Sequence, residues 1–164
     1  LHDPLPIYKP IIYAHRGASA YAPENTGAAF RKALEMKAGG IEIDVHLSKD
    51  GRVVVCHDEK VDRVSNGSGN IRDLTLQELK ALDFGSWFSD EFKDERIVTL
   101  EELMEMLKDW DGILNVELKQ GPMQYEGLEA KVVDILYRFN TIENTIISSF
   151  NHYSLRTVKG IEPS

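Results

Sequence analysis

The sequence predicts an α/β fold. Apolar runs of strand length alternate along the chain with segments in which Leu, Met or Phe recurs every three or four residues, the spacing of a helix with one buried face. Two Thr-x-x-Glu capping boxes mark helix starts between these runs. With 164 residues, 42% of them hydrophobic and 28% charged, the chain can bury one sizeable core. We therefore expect residues 1–164 to form a single globular domain.

The first three elements are a strand, a helix and a strand. An apolar run at residues 11–14 predicts the first strand. The helix is expected to begin after Pro23 and to end at Gly39-Gly40, because glycine readily terminates helices. Residues 41–47 are the next predicted strand.

Another strand follows closely, at residues 53–57. The connection at 48–52 is too short for the crossover of about a dozen residues that joins parallel neighbours, and Asp50-Gly51 favours a hairpin. The sequence leaves open whether these two strands pair antiparallel or the chain returns without a helix.

Residues 58–96 are predicted to be an insertion with its own short helix and an aromatic anchor. The helix begins at the capping box of Thr75 and Glu78, and Trp87 belongs to the aromatic group. Inserted segments near strand ends commonly shape functional sites.

The second half of the chain repeats the alternation of helix and strand. A helix begins at the capping box of Thr99 and Glu102. The elements expected after it are a strand at 113–118, a helix at 125–139, a strand at 145–149 and a helix capped by Asn151.

Charged residues interrupt two of the predicted strands. Side chains alternate faces along a strand, so Glu42 and Asp44 point to one side, as do Glu117 and Lys119 on the later strand. Burying three carboxylates on one side is costly unless a cation or hydrogen bonds compensate them. The pattern therefore predicts a metal ion, although Glu117 and Lys119 could also simply pair with each other.

Two histidines directly follow apolar runs. His15 and His57 are placed at the carboxyl ends of predicted strands, where α/β folds keep their chemistry. His46 shares the strand face of the two acids, but a third catalytic histidine is not expected. Glu24 and Asn25, just past Pro23, are interpreted as part of the helix start.

Composition excludes several partner classes. The net charge of -8 opposes binding to nucleic acid, and no apolar run is long enough to span a membrane. The given chain shows no signal peptide, which predicts a cytoplasmic location, although a signal removed earlier remains compatible with Leu1 at the start. The lone Cys56 is interpreted as a small buried hydrophobic residue.

An ordered series of motifs closely resembles the glycerophosphodiester phosphodiesterase family. The series is His15-Arg16-Gly17, Pro23-Glu24-Asn25-Thr26, Glu42-Ile43-Asp44-Val45, Lys49-Asp50-Gly51, His57-Asp58 and Glu117-Leu118-Lys119. Each piece alone is weak evidence, but their succession is specific.

The resemblance implies a TIM-type (β/α)₈ barrel and hydrolysis of glycerophosphodiesters to glycerol 3-phosphate and an alcohol. It implies that His15 and His57 are the acid/base pair and that Glu42, Asp44 and Glu117 hold a divalent cation. Such a barrel needs about 250 residues, so this chain would supply roughly the first five strand and helix units. We expect residues 1–164 alone to be inactive or to aggregate.

Physical chemistry agrees with these assignments. Oxygen ligands suit Ca²⁺ or Mg²⁺, and flanking Arg16 and Lys119 could bind an anionic phosphate. Histidine titrates near neutrality and can move protons at both the attacking and the leaving oxygen.

Other functions stay open from the sequence. They are a lysophospholipase-D-like or sphingomyelinase-D-like enzyme, a glycoside hydrolase that uses Glu42 and Glu117 as paired carboxylates, and a non-catalytic fragment. The small-molecule substrate is a glycerophosphodiester in the favoured interpretation. Oligomeric state is not predicted.

Overall fold

The computed structural model describes residues 10–121 and 124–163. Its strands are β1 (Tyr13–His15), β2 (Gly40–Leu47), β3 (Val53–Val55), β4 (Val98–Thr99), β5 (Ile113–Leu118) and β6 (Thr145–Ser148). Its α-helices are α1 (Gly27–Glu35), α2 (Leu76–Ala81), α3 (Leu100–Leu107), α4 (Leu128–Arg138) and α5 (His152–Ile161). Short 3₁₀ turns lie at Ile71–Asp73, Asp90–Phe92 and Ile142–Asn144. The predicted α/β alternation is present.

Strand β2 lies at the centre of one six-stranded sheet. It pairs with β5 in parallel along most of its length, and β6 continues the sheet in parallel beyond β5. Its first half pairs in parallel with β1, and its second half pairs antiparallel with β3. The carboxyl ends of β1, β2 and β5 therefore meet at one edge of the sheet, whereas the strand before His57 runs antiparallel to β2.

The short connection after β2 is a hairpin, which answers the question that the sequence left open. The backbone N–H of Ser48 donates to the carbonyl of Arg52 at 2.9 Å, and Gly51 takes the left-handed φ of 73° that this turn requires. Four of the five predicted strands are thus parallel barrel-type strands, and the one predicted at 53–57 is antiparallel and ends at Val55.

Strand β4 was not predicted. It contains two residues and pairs antiparallel with β3. Two residues are too few to show the alternation of apolar and polar positions by which a strand is recognised.

Helix α1 ends earlier than the glycine pair predicted. It is capped at its start by the Thr26 hydroxyl and ends at Glu35, and Lys37 takes the left-handed turn with φ 56°. Gly40 belongs to β2 instead, where a Cβ would stand 2.5 Å from the Tyr13 ring. This glycine serves a close approach between strands rather than a helix end.

The other helix starts agree with their sequence signals. Both capping boxes form, at Thr75 with Glu78 and at Thr99 with Glu102, and Asn151 accepts from backbone N–H groups of α5. Helix α4 begins three residues later than predicted, at Leu128 after a left-handed glycine.

Two apolar cores support the sheet. The main core includes residues on the face of β2 opposite its acids, together with residues of α1, α3 and α4. Its fully buried members include Phe30, Ile41, Ile43, Val45, Leu103, Val116, Leu128 and Leu136.

A second, smaller core lies under residues 58–96. It consists of Val54, Cys56, Val61, Val64, Ile71, Leu79, Phe84 and Ile97. Cys56 is buried within it, and this burial raises the pKa of the thiol to about 12, as a packing role requires. The segment thus has a core and a short helix of its own, and its description as an insertion stays a prediction. None of the helices within the described ranges is long and apolar enough to cross a bilayer.

Candidate active site

Three carboxylates converge where β2 and β5 lie side by side. Glu42 and Asp44 share one face of β2, and the parallel register sets Asp44 opposite Glu117 of β5. One oxygen from each carboxylate lies within 4.8 Å of the other two. Asp44 is only 1% exposed and Glu42 9%. The structure therefore brings together the three acids that the sequence singled out.

Crowding changes the ionisation of Glu42. Burial, followed by the neighbouring charges of Asp44 and Glu117, raises the pKa of Glu42 to about 7. A carboxylate in this position gives up a proton easily only when positive charge is added nearby.

Lys119 partly neutralises the acids. Its ammonium donates to Glu117 at 2.8 Å and lies 2.9 Å from Asp44 Oδ1. Burial opposes the charge of Lys119, but hydrogen bonds and attraction from Glu117 and Asp44 outweigh it and raise the pKa of the ammonium. The alternative reading of a simple Glu117–Lys119 pair is thus incomplete, because Asp44 shares the same ammonium.

The loop after β1 supplies two residues with left-handed backbone. Arg16 (φ 58°) donates its backbone N–H to Glu42 Oε2 at 3.0 Å, and its Nε lies 3.7 Å from Asp44 Oδ2. Asn25 (φ 56°) donates its side-chain N–H to Asp44 Oδ2 at 2.9 Å. Non-glycine residues adopt this conformation at an energetic cost, which points to a role for their side chains.

The interpretation of Glu24 and Asn25 as parts of the helix start is wrong. Thr26 caps α1, whereas Asn25 contacts Asp44 and Glu24 accepts from Arg16 Nη1 at 3.0 Å. Sequence reasoning missed both because a residue just before a cap normally serves the helix.

The two predicted histidines both reach this end of the sheet. His15 Nε2 lies 3.8 Å from Glu42 Oε2, and its side chain is 66% exposed. His57 Nδ1 lies 2.6 Å from Asp58 Oδ1. His57 also lines a cavity of about 520 Å³ together with Glu117 and Lys119.

His46 is a structural residue. It is fully buried, with Nδ1 2.9 Å from the Tyr125 hydroxyl and Nε2 3.2 Å from the carbonyl of His57. A carbonyl only accepts, so Nε2 carries the proton and Nδ1 accepts from Tyr125. Burial lowers the pKa of His46 to about 4 and keeps the ring neutral. The ring therefore supports the main chain of His57.

The residues present fit a hard divalent cation. The donors are carboxylate oxygens, the type that Ca²⁺ and Mg²⁺ prefer. Within the described part of the chain, the buried Asn25 Oδ1 beside this cluster has no hydrogen-bond partner. Glu42, Asp44 and Glu117 would hold the ion.

Comparisons with known proteins agree with this chemistry. The family model described as the glycerophosphoryl diester phosphodiesterase family matches residues 15–164. A glycerophosphodiester phosphodiesterase of Caldanaerobacter subterraneus subsp. tengcongensis is 51% identical over 155 residues, which cover 94% of this chain and 64% of the relative. One of Bacillus altitudinis is 40% identical over 93% of this chain and 62% of the relative.

Solved structures show the same relationship. A phosphodiesterase of Oleispira antarctica, in complex with the product sn-glycerol-3-phosphate, is 39% identical with a TM-score of 0.86 over 94% of this chain and 63% of that one. The glycerophosphodiester phosphodiesterase of Agrobacterium tumefaciens is 36% identical with a TM-score of 0.84, over 93% of this chain and 63% of that one.

The likeness to these structures confirms the TIM-type barrel class, and the chain spans less than two thirds of the length of these relatives. Because the family model covers nearly the whole sequence, the chain belongs to the glycerophosphoryl diester phosphodiesterase family.

Proposed function

We propose that the protein hydrolyses glycerophosphodiesters to glycerol 3-phosphate and an alcohol in a metal-dependent reaction. The convergence of Glu42, Asp44 and Glu117 to within 4.8 Å carries this proposal. Three carboxylates beside a cavity need added positive charge to stay ionised together, and a divalent cation provides it. Membership of the family, and the product bound by the O. antarctica relative, support the substrate class.

The site is built to receive an anionic phosphate. Mg²⁺ or Ca²⁺ held by Glu42, Asp44 and Glu117 would supply positive charge for the nonbridging oxygens, on which negative charge builds in the transition state. Arg16 and Lys119 are proposed to bind the phosphate, because both cations are held against the carboxylate cluster. Their closest approaches to Asp44 are 3.7 and 2.9 Å.

His15 and His57 are proposed as the proton-transfer pair. The Asp58 carboxylate accepts from His57 Nδ1 at 2.6 Å, which leaves Nε2 of that ring free to take or give a proton. His15 is exposed enough for a substrate to reach it. One ring removes the proton of the attacking oxygen and the other protonates the leaving alcohol. The attacking oxygen is proposed to be a glycerol hydroxyl of the substrate, which gives a cyclic phosphate that water then opens.

The two alternatives differ in their support. A lysolipid would need an apolar surface beside the site, and Ile12, Ala18 and Tyr21 line a cavity of about 350 Å³ together with His15, so the turnover of a lysolipid has to be measured against that of glycerophosphocholine. A glycosidase would use Glu42 and Glu117 as its paired carboxylates, which leaves Asp44, with an oxygen within 4.8 Å of one on each of them, without a role. The cytoplasmic location and the lack of a nucleic-acid partner stay predictions.

The test is a coupled assay for glycerol 3-phosphate release from glycerophosphocholine by the intact protein. A chelator should abolish release, and Mg²⁺ or Ca²⁺, added in separate arms, should restore it. H15A and H57A should each lower kcat by at least about 100-fold. H152A is the matched control, because His152 is exposed at the start of α5.

Each part of the proposal has its own contrary result. Parental turnover in both H15A and H57A would show that the histidine assignment is wrong. Full activity in the presence of the chelator would show that the reaction does not require a divalent cation. Faster turnover of a lysolipid than of glycerophosphocholine would favour the phospholipase-D-like alternative.

A further inference from the structure

The guanidinium of Arg63 connects two carboxylates that are far apart in sequence. Glu24 lies just before α1, and Asp58 lies just after β3. Arg63, in the segment after β3, donates from Nε to Asp58 Oδ2 at 2.7 Å and from Nη2 to Asp58 Oδ1 at 3.1 Å. The same group donates from Nη2 to Glu24 Oε1 at 2.7 Å and from Nη1 to Glu24 Oε2 at 3.1 Å. A planar fork with several donors suits such two-sided binding, and a lysine could not reproduce it.

Each of these carboxylates also contacts a residue of the proposed active site. Asp58 lies 2.6 Å from His57 Nδ1, and Glu24 accepts from Arg16 Nη1 at 3.0 Å. Arg63 is therefore one contact away from both the proton-transfer ring and the phosphate-binding cation. Nothing in the sequence pattern marks it for this place.

We propose that Arg63 is a positioning residue for the phosphodiesterase reaction, which holds Asp58 and Glu24 so that they orient the His57 ring and the Arg16 guanidinium. The inference rests on the proposed function. It gives residues 58–96 a task at the active site, because Arg63 belongs to that segment.

The charges of the network are balanced. Two guanidinium groups, of Arg16 and Arg63, face two carboxylates, of Glu24 and Asp58. The hydrogen bond from Arg63 is the main cause that lowers the pKa of Asp58 to about 2, with His57 adding to it. Asp58 is therefore a lasting acceptor for His57 Nδ1–H, which fixes one ring tautomer with Nε2 available.

Arg63 also contacts an aromatic ring that is bonded to the second core. Its Cζ lies 6.0 Å from the centre of the Trp87 ring, a cation–π distance. The Trp87 indole N–H donates to the carbonyl of Phe84 at 3.0 Å, and Phe84 is buried in that core. Trp87 thus connects Arg63 to the second core, although the Trp87 side chain itself is exposed.

A purely structural salt bridge is the competing explanation. Arg63 is 45% exposed, and exposed ion pairs contribute little to stability. The two explanations differ in what they predict for His57. A structural pair would leave the tautomer and the turnover unchanged, whereas a positioning residue would change both.

The experiment compares the R63Q and R63K variants of the intact protein. Kinetics on glycerophosphocholine are measured with saturating divalent cation, and ¹⁵N NMR of the imidazole nitrogens reports the His57 tautomer. R63Q is expected to lower kcat by about 10- to 100-fold, to change KM less, and to raise the Nε2–H tautomer of His57. R63K keeps the charge and should recover part of kcat. R72Q is the matched control, because Arg72 is exposed in the same segment.

The outcomes separate this inference from the function on which it rests. A parental His57 tautomer in R63Q overturns the proposal, whether kcat falls or not. If R63Q does not fold, R63K decides, and a parental kcat and tautomer there overturn the proposal. Failure of the parent protein to release glycerol 3-phosphate would instead refute the proposed function, and parental kcat in H57A would refute the role proposed for His57. In both cases the tautomer in R63Q would still show whether Arg63 orients the ring.

Discussion

Replacing Glu42 by Gln is predicted to stabilise the metal-free protein and to weaken its response to divalent cations. Burial and the nearby acids raise the pKa of Glu42 from 4.5 to about 7. Each pKa unit corresponds to about 1.4 kcal/mol, so ionising this group in the folded protein is disfavoured by about 3 kcal/mol. Glutamine has no charge to bury, and its oxygen can still accept the Arg16 N–H that Glu42 accepts at 3.0 Å.

The sign of the effect depends on pH. Because the folded pKa is raised, the protonated acid contributes its full stability below about pH 4.5, and this contribution is lost as the pH rises through about 7. The E42Q variant should therefore exceed the parent by up to about 3 kcal/mol at about pH 8 and match it near pH 4.5. Denaturant unfolding of the intact protein in a chelator measures the difference at both values.

Two controls make the result decisive. E105Q removes an exposed carboxylate of α3 and should leave the free energy of unfolding unchanged. Excess Mg²⁺ or Ca²⁺ should stabilise the parent more than E42Q, because binding of the ion favours the folded state only where its ligands are present. The reasoning fails if E42Q is less stable than the parent at about pH 8 in the chelator, or if cations stabilise both equally.

Three further outcomes follow from the described contacts. Burial lowers the pKa of His46 from 6.5 to about 4, so the stability that its neutral ring contributes is present above pH 6.5 and lost as the pH falls towards 4. In denaturant unfolding, the free energy of unfolding of H46Q should therefore fall less than that of the parent over this pH range. An equal fall in both proteins would contradict the assignment. T99A removes a hydroxyl that accepts from the backbone of α3, and it should lower the free energy of unfolding by about 1 kcal/mol; a parental value would show that the capping box contributes nothing. K119M leaves Asp44 and Glu117 without the ammonium that now lies 2.9 and 2.8 Å from them. The variant should lower kcat/KM by about 100-fold or more and should bind divalent cations more tightly, as measured by calorimetry. Weaker cation binding would argue that Lys119 and the cation do not share the carboxylates of Asp44 and Glu117.

Local sequence signals were sufficient for much of the sheet and for the acids. The period of two along β2 placed Glu42 and Asp44 on one face, and the parallel register with β5 then brought Glu117 opposite Asp44. Strand β2 is buried on both faces, so its acids stood out against apolar neighbours. The roles of the seven predicted site residues stay predictions.

Other parts of the site depend on contacts that no local pattern contains. Arg63 meets Glu24 across 39 residues of sequence, and Asn25, whose backbone is left-handed, meets Asp44 across 19 residues. The hairpin after β2 also needed the sheet, since Asp50-Gly51 fits a turn but does not say which edge of β2 is free. Tertiary pairing decided these points.

The left-handed backbone at Arg16 and Asn25 brings their side chains to the carboxylates at an energetic cost. L-residues in the left-handed region cost roughly 1 kcal/mol or more relative to glycine, and here two such residues are joined, since the Asn25 N–H donates to the Arg16 carbonyl at 2.9 Å. At Asn25, glycine would remove this backbone cost but also the hydrogen bond to the buried Asp44 carboxylate, and hydrogen bonds to charged groups contribute about 1.5 to 3 kcal/mol. Selection for heat resistance would therefore retain asparagine at this position.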